Sequence, residues 1–354
     1  MDRMESLLQD LVEAVGVSGY ERDVFELMRR ELEGIAAVER DRLGSLVARL
    51  GGEGPEKPRV MVAAHMDEVG FMVSHFTGNF IRFNTLGGWW PPRMVGLPVV
   101  VRTATGDIRG VVSSKSPFTM EREERDKPLK ANDLFIDVGL AGKKSPESLG
   151  IRPGDPVVPW GPFTVLSGGK TYMAKAWDDR LGCAVLIEAM RRLSRRRRVN
   201  ALYGVGTVQE EVGLRGAQTA AHHVDPDVCI AIDVNIARDL PGAPEGSTEK
   251  LGAGVSVCVY DATLIPNTRL RDLVVEVAEK KKIPYHFSAI PLGGTDGGRV
   301  HLSRGGVPTI VLGVPTRYIH SAAGIVRRRD IDSAVRLVVE TARALDETTV
   351  ANLV

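Results

Sequence analysis

An apolar segment at residues 201–208 ends abruptly in two adjacent carboxylates, Glu210 and Glu211, followed by Gly213. A buried strand that carries acids at its carboxyl end is the way in which open α/β sheets build active sites. Neighbouring side chains on a strand point to opposite faces, but at a frayed strand end they can diverge and take different tasks. The segment predicts an α/β sheet in which Glu211 holds a metal ion and Glu210 handles a proton. Taken alone, the pair also fits a charged strand end that faces water.

The order of elements on either side of the middle section is typical of an α/β protein. A helix that ends near Leu32 is expected to follow Ser18 and Glu21, which have the spacing of a capping box. Another helix is expected to follow Arg180. Further helices are expected at residues 4–15, 214–222, 267–282, 296–303 and 330–345. Strands are expected at residues 41–50, 59–64, 201–208, 228–232, 252–260, 285–290 and 307–314. Residues 51–55 are expected to form a Gly-rich loop.

The middle section, from about residue 71 to residue 163, has a different pattern of apolar residues. Its apolar runs are short, rich in Val, Ile and Phe, and interrupted by Gly and Pro, which is the pattern of a small all-β barrel or sandwich. A chain of 354 residues also exceeds a single simple core. We therefore predict a β domain at 70–166 that is inserted into an α/β domain formed by 1–69 and 167–354.

Charge and cysteine content narrow the range of partners and compartments. The formal net charge of +1 gives no reason to expect nucleic acid or an anionic membrane as a partner. The three cysteines, Cys183, Cys229 and Cys258, lie far apart in apolar runs, so we expect reduced core thiols in a cytoplasmic protein. No apolar run approaches the roughly 18–20 residues of a membrane helix. The charged N-terminus lacks an apolar signal segment, and we expect no signal peptide.

Five places in the sequence share one feature, which is that an apolar run or a Gly-rich turn stops at a side chain able to bind metal. They are His65 with Asp67, Asp178, Glu210 with Glu211, Asp233, and His320. Converging buried carboxylates are costly without a compensating cation. Two imidazoles and three carboxylates suit zinc, or cobalt or manganese in its place. Because five ligands are too many for one tetrahedral zinc, they predict two ions that share a carboxylate and activate a water between them.

Each of these residues also has an ordinary structural interpretation when it is taken alone. His65 and Asp67 could be a hydrogen-bonded pair, Asp178 could cap the helix that follows it, and Asp233 could open a turn. His320 could lie in a surface loop. The joint occurrence of these residues in an α/β order favours the metal site. For the remaining histidines we expect structural roles; they are His75, His222, His223, His286 and His301.

Six short segments, in this order along the chain, carry a resemblance to a known family. They are residues 64–70, 175–180, 209–213, 232–233, 293–296 and 316–321. With these segments the chain resembles the tetrahedral aminopeptidases, which are dinuclear metallopeptidases that include glutamyl and deblocking aminopeptidases. The resemblance implies an α/β fold of the dinuclear zinc exopeptidase type, with a mixed central sheet flanked by helices and an inserted small all-β barrel.

The resemblance also implies roles for the ligand-type residues. His65 and Asp233 would bind one metal ion, Glu211 and His320 the other, and Asp178 would bridge the two ions. Zinc is the expected metal, and cobalt is the alternative.

The residues around these ligands receive roles in the same way. Glu210 would be the general base and later the acid, while Asp67 would orient the ring of His65. The resemblance implies that a further segment contacts the substrate, namely Gly293, Gly294, Thr295 and Asp296.

At the scale of the assembly, the resemblance implies that the β insert serves oligomer contacts. The expected assembly is a tetrahedral homododecamer whose active sites face an inner chamber. The chain departs from the family pattern at Asp179, where Asn is expected, and at 297–298, where Ala-Gly is expected. The extra charge of Asp179 beside the metal ions could alter their affinity.

The function predicted from these observations is removal of the N-terminal residue from short peptides. Two other readings stay open, namely a glycosidase of the endoglucanase type that uses paired carboxylates, and a metal-bearing assembly protein without catalysis. The preferred N-terminal residue is open as well. Segment 290–298 favours an apolar side chain, whereas Arg299 or Arg317 would suit an acidic one.

Overall fold

The computed structural model describes residues 1–51, 56–142, 144–243 and 246–354. Most of the loop predicted at 51–55 therefore lies outside the described residues. The helices of the described part are α1 Arg3–Glu13, α2 Arg22–Leu32, α3 Arg122–Arg125, α4 Trp177–Ser194, α5 Arg215–Val224, α6 Thr268–Lys280, α7 Gly297–Val300, α8 Arg328–Ala344 and α9 Glu347–Ala351.

The strands of the described part form one large mixed sheet and one closed barrel. The large sheet contains β1 Ala36–Arg40, β2 Leu46–Leu50, β3 Arg59–His65, β10 Thr164–Val165, β11 Thr171–Ala174, β12 Ala201–Thr207, β13 Val228–Ile236, β14 Val255–Asp261, β15 Tyr285–Ile290, β16 Thr309–Arg317 and β17 Gly324–Arg327. The barrel contains β4 Gly70–Thr77, β5 Phe80–Leu86, β6 Pro98–Thr103, β7 Gly106–Ser113, β8 Phe135–Asp137 and β9 Pro156–Pro159.

The centre of the large sheet is parallel, in the order β12-β3-β13-β16. These strands are apolar and buried on both faces, as parallel strands covered by helices must be. The carboxyl ends of parallel strands meet at one edge of a sheet. In register, Thr207 lies opposite His65, and Asp233 lies opposite Gly313. The fold therefore brings together, at one edge of the sheet, the strand ends that carry the candidate metal ligands.

Helix α4 forms the apolar layer on one face of the sheet. Most of its side chains are buried, and it packs against α1, α8, β3 and β13. Helix α1 begins with a reciprocal capping box, in which the Asp2 carboxylate accepts from the amide of Glu5 and the Glu5 carboxylate accepts from the amide of Asp2. Throughout the described part, no helix combines the length and apolarity that a bilayer crossing requires.

The barrel closes on itself in the order β4-β5-β8-β7-β6-β9, with β9 returning to β4. All of its strand pairs are antiparallel, and alternate side chains such as Phe71, Val73 and Ile81 fill a core separate from that of the large sheet. Closure removes exposed strand edges, which explains how such short strands form a stable unit. The mixed sheet with its helices and the closed barrel confirm the predicted fold class.

Several local expectations were wrong, and tertiary contacts explain most of them. Ser18 does not cap α2, because its hydroxyl donates instead to the carboxylate of Asp67 at 2.6 Å, and no side-chain cap bond forms at Glu21. Asp233 lies within β13 and not at its end, because the strand continues to Ile236 beside β16.

Other expectations differ from the structure in the length of an element. The strand expected at 41–50 begins only at Leu46, and the helix expected at 296–303 is reduced to the single turn of α7. The last residues of the predicted insert, Thr164–Val165, already pair with β11 in the large sheet.

Candidate metal centre and active site

Five separate parts of the chain contribute side chains that could bind a metal ion, and all of them lie at the carboxyl ends of the parallel strands. His65 ends β3, Asp178 opens α4, and Glu211 lies in the turn between β12 and α5. Asp233 is contributed by β13, and His320 by the loop after β16. The set is therefore built by the sheet topology and not by any local sequence motif.

The loops that carry these side chains contain non-glycine residues in the left-handed backbone region. Such conformations are sparsely populated and cluster at functional sites, where the surrounding fold enforces them. In this site they are Ala176, Gln209, Leu214, Tyr318 and His320.

Two groups of three ligand-type residues share one carboxylate. The first group is His65, Asp178 and Asp233, and the second is Asp178, Glu211 and His320; within each group the ligand atoms lie within 4.8 Å of one another. The two carboxylate oxygens of Asp178 face different histidines, with Oδ1 3.0 Å from Nε2 of His65 and Oδ2 3.2 Å from Nε2 of His320. Asp178 thus occupies the position that a bridging ligand requires.

The donor set suits divalent cations. Oε1 of Glu211 is buried and makes no hydrogen bond, although it lies 3.2 Å from Nε2 of His320. Each histidine directs its other ring nitrogen to a carbonyl oxygen, His65 to Asp67 at 3.0 Å and His320 to Gly88 at 2.6 Å. Such contacts fix the tautomer that leaves Nε2 free to bind a metal.

The electrostatics of the cluster point the same way. Burial lowers the pKa of His320, but contacts with Asp178 and Glu211 outweigh this and raise it to about 11. Burial raises the pKa of Asp233 well above its usual range, and the charge of Asp178 raises it further. Burial also raises the pKa of Asp178, but hydrogen bonds from His320 and His65 leave it below the usual range. A pocket that collects this much negative charge favours a cation.

Glu210 lies beside the two groups, with Oε2 4.0 Å from Nε2 of His65. Burial raises the pKa of Glu210 well above its usual range; Glu211 and Asp233 add to this effect, and His65 opposes it. Its carboxylate also forms a third group with His65 and Glu211 within 4.8 Å. Glu210 therefore lies where it could exchange a proton with a molecule bound next to the two ligand groups that share Asp178.

Asp67 contacts the site mainly through backbone amides. Its carboxylate accepts hydrogen bonds from the amides of Glu210 at 2.9 Å and Glu211 at 3.2 Å, and from the hydroxyl of Ser18. Its Oδ1 lies 3.5 Å from Nδ1 of His65, but the closer partner of that nitrogen is the Asp67 carbonyl oxygen. Asp67 thereby fixes the turn that presents both glutamates, a role that the sequence did not indicate.

Asp179 is fully buried beside the cluster. Its carboxylate accepts from the amide of His65 at 3.3 Å and from the amide of Gly182 at 2.9 Å. Burial raises the pKa of Asp179 well above its usual range, and Asp233 raises it further. The two bonds are accepted by different oxygens, Oδ2 from His65 and Oδ1 from Gly182, so a carboxylate satisfies both donors, whereas the expected Asn has a single acceptor oxygen.

An open cavity of about 600 Å³ adjoins the ligand groups. Of the segment expected to contact substrate, Gly293, Gly294 and Thr295 line it. Asp296 lies behind this wall, where it is buried and accepts a hydrogen bond from the hydroxyl of Thr207. Further aliphatic side chains complete the lining, namely Leu214, Val234, Ile236, Ile290, Leu292 and Ile319.

The barrel contributes to the candidate site in a way that the sequence did not indicate. The loop after β5 reaches the cluster, where the carbonyl of Gly88 contacts His320. Gly87 has φ of 81°, and a Cβ at this position would lie 2.9 Å from Oε2 of Glu211. The pair of glycines in the sequence is the one signal that could have indicated this close approach.

A second feature that the sequence did not indicate is a buried ion cluster beside the loops that carry the candidate metal ligands. Nζ of Lys175 lies 2.5 Å and 2.7 Å from the carboxylate oxygens of Glu68, and a guanidinium nitrogen of Arg180 lies 3.2 Å from the same carboxylate. Arg180 also donates to the carbonyls of Met66 and Gly16. The cluster ties the loop after β3 to the start of α4, and so fixes the elements that carry His65 and Asp178.

Comparison with known proteins gives consistent results. A family model described as M42 glutamyl aminopeptidase matches residues 44–337. A TET aminopeptidase structure from a marine-sediment archaeon of the Thaumarchaeota is 44% identical, with a TM-score of 0.97 over 100% of each chain. The lysyl aminopeptidase of Pyrococcus furiosus is 35% identical over 94% of this chain and 94% of its own length.

A structure of the TET1 peptidase of Pyrococcus horikoshii is 31% identical, with a TM-score of 0.84 over 97% of this chain and 100% of that chain. That peptidase is described as able to assemble into a tetrahedron or a large octahedral shell. These matches confirm the resemblance that the six sequence segments carry. The solved structures that the chain resembles include TET aminopeptidases. The chain belongs to the M42 glutamyl aminopeptidase family.

Proposed function

We propose that the protein is a metal-dependent aminopeptidase that removes the N-terminal residue from short peptides, with Glu210 as general base. The observation that carries the proposal is the pair of ligand groups that share Asp178, with the additional carboxylate of Glu210 beside them. A glycosidase would use two carboxylates and leave His65 and His320 without a role. A purely structural metal site would not need Glu210.

His65 and Asp233 would hold one divalent ion, Glu211 and His320 a second, and Asp178 both. The mixed nitrogen and oxygen donors favour Zn²⁺, and Co²⁺ is the alternative. When bound, a pair of such ions supplies a nucleophilic water near neutral pH and Lewis-acid polarisation of the peptide carbonyl.

The side chains of the protein would perform the proton transfers. Glu210 would accept a proton from the attacking water and then donate it to the leaving amine. Asp67 would hold the amides of Glu210 and Glu211 in place through the two hydrogen bonds to its carboxylate. A base held in this way needs no rearrangement between the two transfers.

Substrate selection would begin with the free α-amine. The carboxylates of Asp178, Glu210, Glu211 and Asp233 line the same cavity and would attract an ammonium group, whereas an acylated terminus carries no such charge. Gly293, Gly294 and Thr295 would lie along the first residue of the peptide, and Asp296 would support this segment from behind.

Replacement of Glu210 tests the catalytic assignment. Glu210→Gln should keep both metal ions and lower kcat on a short peptide by about 10²–10⁴-fold, because it removes the group that moves the proton. The measurement is turnover by mass spectrometry together with metal content for each protein. Glu276→Gln, an exposed change on α6, serves as the matched control. A Glu210→Gln protein that keeps a near wild-type rate would remove Glu210 from the mechanism.

We infer further that the protein assembles into a tetrahedral homododecamer whose active sites face an inner chamber, and that the insert at 70–166 provides contacts between subunits. Support comes from the likeness to TET structures and from large apolar side chains exposed on the barrel, among them Phe118 and Trp90. A cytoplasmic location remains a prediction; Cys183, Cys229 and Cys258 are buried free thiols, as a reducing compartment allows.

A further inference from the structure

Arg299 is a cation without an assigned role in the candidate active-site cavity. It lies in α7, four residues after Thr295, and lines the cavity together with the metal-type residues. Among the described residues that line this cavity, Arg299 is the sole Lys or Arg. Its side chain is exposed and makes no ion pair or side-chain hydrogen bond within the described ranges.

The neighbouring arginines are engaged elsewhere. Arg317, the other arginine that the sequence left as a candidate, donates to both carboxylate oxygens of Asp239 at 2.9 Å and 2.6 Å. Arg304 lies 2.7 Å from the carboxylate of Asp225 and donates to the carbonyl of His222. Among the described residues that line the candidate active-site cavity, Arg299 is therefore the guanidinium whose donors have no protein partner.

Arg299 also borders a second and larger cavity, of about 720 Å³, between α5 and the turn after β1. Five arginine or histidine side chains line the second cavity, namely Arg42, His222, His223, Arg299 and Arg304. Of these, Arg304 is paired with Asp225 and His223 with Glu39, each at 2.7 Å. Its one carboxylate, that of Asp41, accepts hydrogen bonds from three backbone amides and the hydroxyl of Thr219. The candidate active-site cavity thus has carboxylates at the ligand groups and, on its other side, the guanidinium groups of Arg299 and Arg42, which have no ion pair among the described residues.

This distribution fits a substrate that carries an ammonium group and a carboxylate. The planar fork of a guanidinium matches the two oxygens of a carboxylate, and such charge-assisted bonds are about twice as strong as neutral ones. Aliphatic side chains such as Leu214, Ile236 and Ile290 line the same cavity and offer apolar contacts to the rest of the peptide. We propose that Arg299 binds a carboxylate of the peptide substrate and so determines which substrates the enzyme prefers.

The carboxylate could come from two places in a peptide. It could be the side chain of an N-terminal Asp or Glu, or the C-terminal carboxylate of a dipeptide or tripeptide. The proposal rests on the proposed aminopeptidase function, since it assigns the substrate class of the same cavity. Two pairs of compounds separate the sources: glutamyl and glutaminyl p-nitroanilide differ in whether the side chain ends in a carboxylate or an uncharged amide, and Leu-Gly and Leu-Gly-amide differ in the same way at the C-terminus.

The experiment compares metal-loaded wild type with Arg299→Gln, which keeps a polar side chain but removes the charge. Arg122→Gln on α3 is the matched control, because Arg122 is exposed and lines neither cavity. We expect wild type to prefer the carboxylate-bearing member of at least one pair in kcat/KM. Arg299→Gln should lower that preference at least about tenfold, mainly through KM, as loss of a charge-assisted hydrogen bond implies. The control should keep the wild-type ratio.

A binding measurement makes the result independent of turnover. Calorimetry on metal-loaded Glu210→Gln protein, with and without Arg299→Gln, would compare L-glutamate with L-glutamine and Leu-Gly with Leu-Gly-amide. Absence of hydrolysis of both p-nitroanilides, of Leu-Gly and of Leu-Gly-amide by wild type would contradict the proposed function, while the calorimetric affinities would still decide the role of Arg299. Substrate preferences and affinity ratios that change less than about twofold in both pairs on Arg299→Gln would overturn the proposal.

Discussion

At the scale of single residues, Asp178 is the side chain on which the proposed centre most depends. Its two oxygens face different histidines, at 3.0 Å and 3.2 Å, and it belongs to both ligand groups that define the two ion positions. Asp233 belongs to one of those two groups and has no such double contact. The two aspartates should therefore differ in what their replacement removes.

Asp178→Asn should weaken binding of both metal ions by at least about 10–100-fold, since even indirect contacts to a metal contribute that much. Asp233→Asn, the matched control, should weaken the binding of one metal ion and leave about one bound metal ion per chain. Metal content after dialysis, measured by plasma mass spectrometry, checks both variants. Equal losses in the two proteins would contradict the bridging role of Asp178.

The sequence allowed the ligand-type residues to be chosen because each follows an apolar run or a tight turn. The structure brings His65, Asp178, Glu211, Asp233 and His320 together at one sheet edge. The contacts of neighbouring residues were less predictable, because a hydrogen bond made through space overrides a local pattern. Ser18, for example, has the spacing of a helix cap but donates to Asp67, 49 positions away.

At the scale of elements, the loop after β5 links the barrel to the catalytic centre. Gly87 allows this approach, since its φ of 81° and the 2.9 Å distance from an added Cβ to Oε2 of Glu211 exclude a side chain. The barrel therefore borders the candidate active site, in addition to being a candidate assembly element.

A Cβ added at Gly87 would also lie 2.6 Å from Cγ1 of Val69, so Gly87→Ala should displace Val69, Glu211 or the loop and lower kcat/KM, by up to about 10²-fold if the shift at Glu211 approaches 1 Å. Gly78→Ala is the matched control, because Gly78 also has positive φ, of 60°, in a barrel turn but has no neighbour within 4 Å of an added Cβ. Both variants should lose about 1 kcal/mol of stability from backbone strain. Peptide turnover and thermal unfolding of the two proteins check this; equal activity in both would show that the close contact has no catalytic consequence.

Helices and strands with a long hydrophobic pattern were predictable from the sequence. Short strands, whose existence depends on the strands they pair with, were not. The helices α1, α4 and α8 and the strands β3 and β12 follow from their apolar periodicity. The two- to four-residue strands β10, β11 and β17 carry no pattern of their own, and they exist because antiparallel partners align them. Helix α7 is short because residues 301–306 turn back toward β16.

At the scale of the whole molecule, the change in the pattern of apolar residues at 71–163 was sufficient to predict an α/β fold with a β insert. The order of strands in the large sheet was not predictable, because many orders bury the same apolar runs. The assembly was not predictable from composition either, and its prediction rests on family resemblance.

If the proposed dodecamer forms, the particle mass should be twelve times the 38.4 kDa chain, about 461 kDa. Light scattering coupled to size-exclusion chromatography measures this mass over a dilution series. A particle near 38.4 kDa at every concentration would contradict the proposed assembly but would leave the catalytic site unaffected.

The measurement that tests the central claim most directly is release of the N-terminal residue from a short apolar peptide and from its N-acetylated twin. Each peptide would be incubated with protein loaded with Zn²⁺ or Co²⁺, and again after chelation and metal restoration. We predict cleavage of the free peptide alone, lost on chelation and regained with metal. Cleavage of the acetylated twin, cleavage that survives chelation, or no cleavage by metal-loaded protein would contradict the proposal of a metal-dependent aminopeptidase.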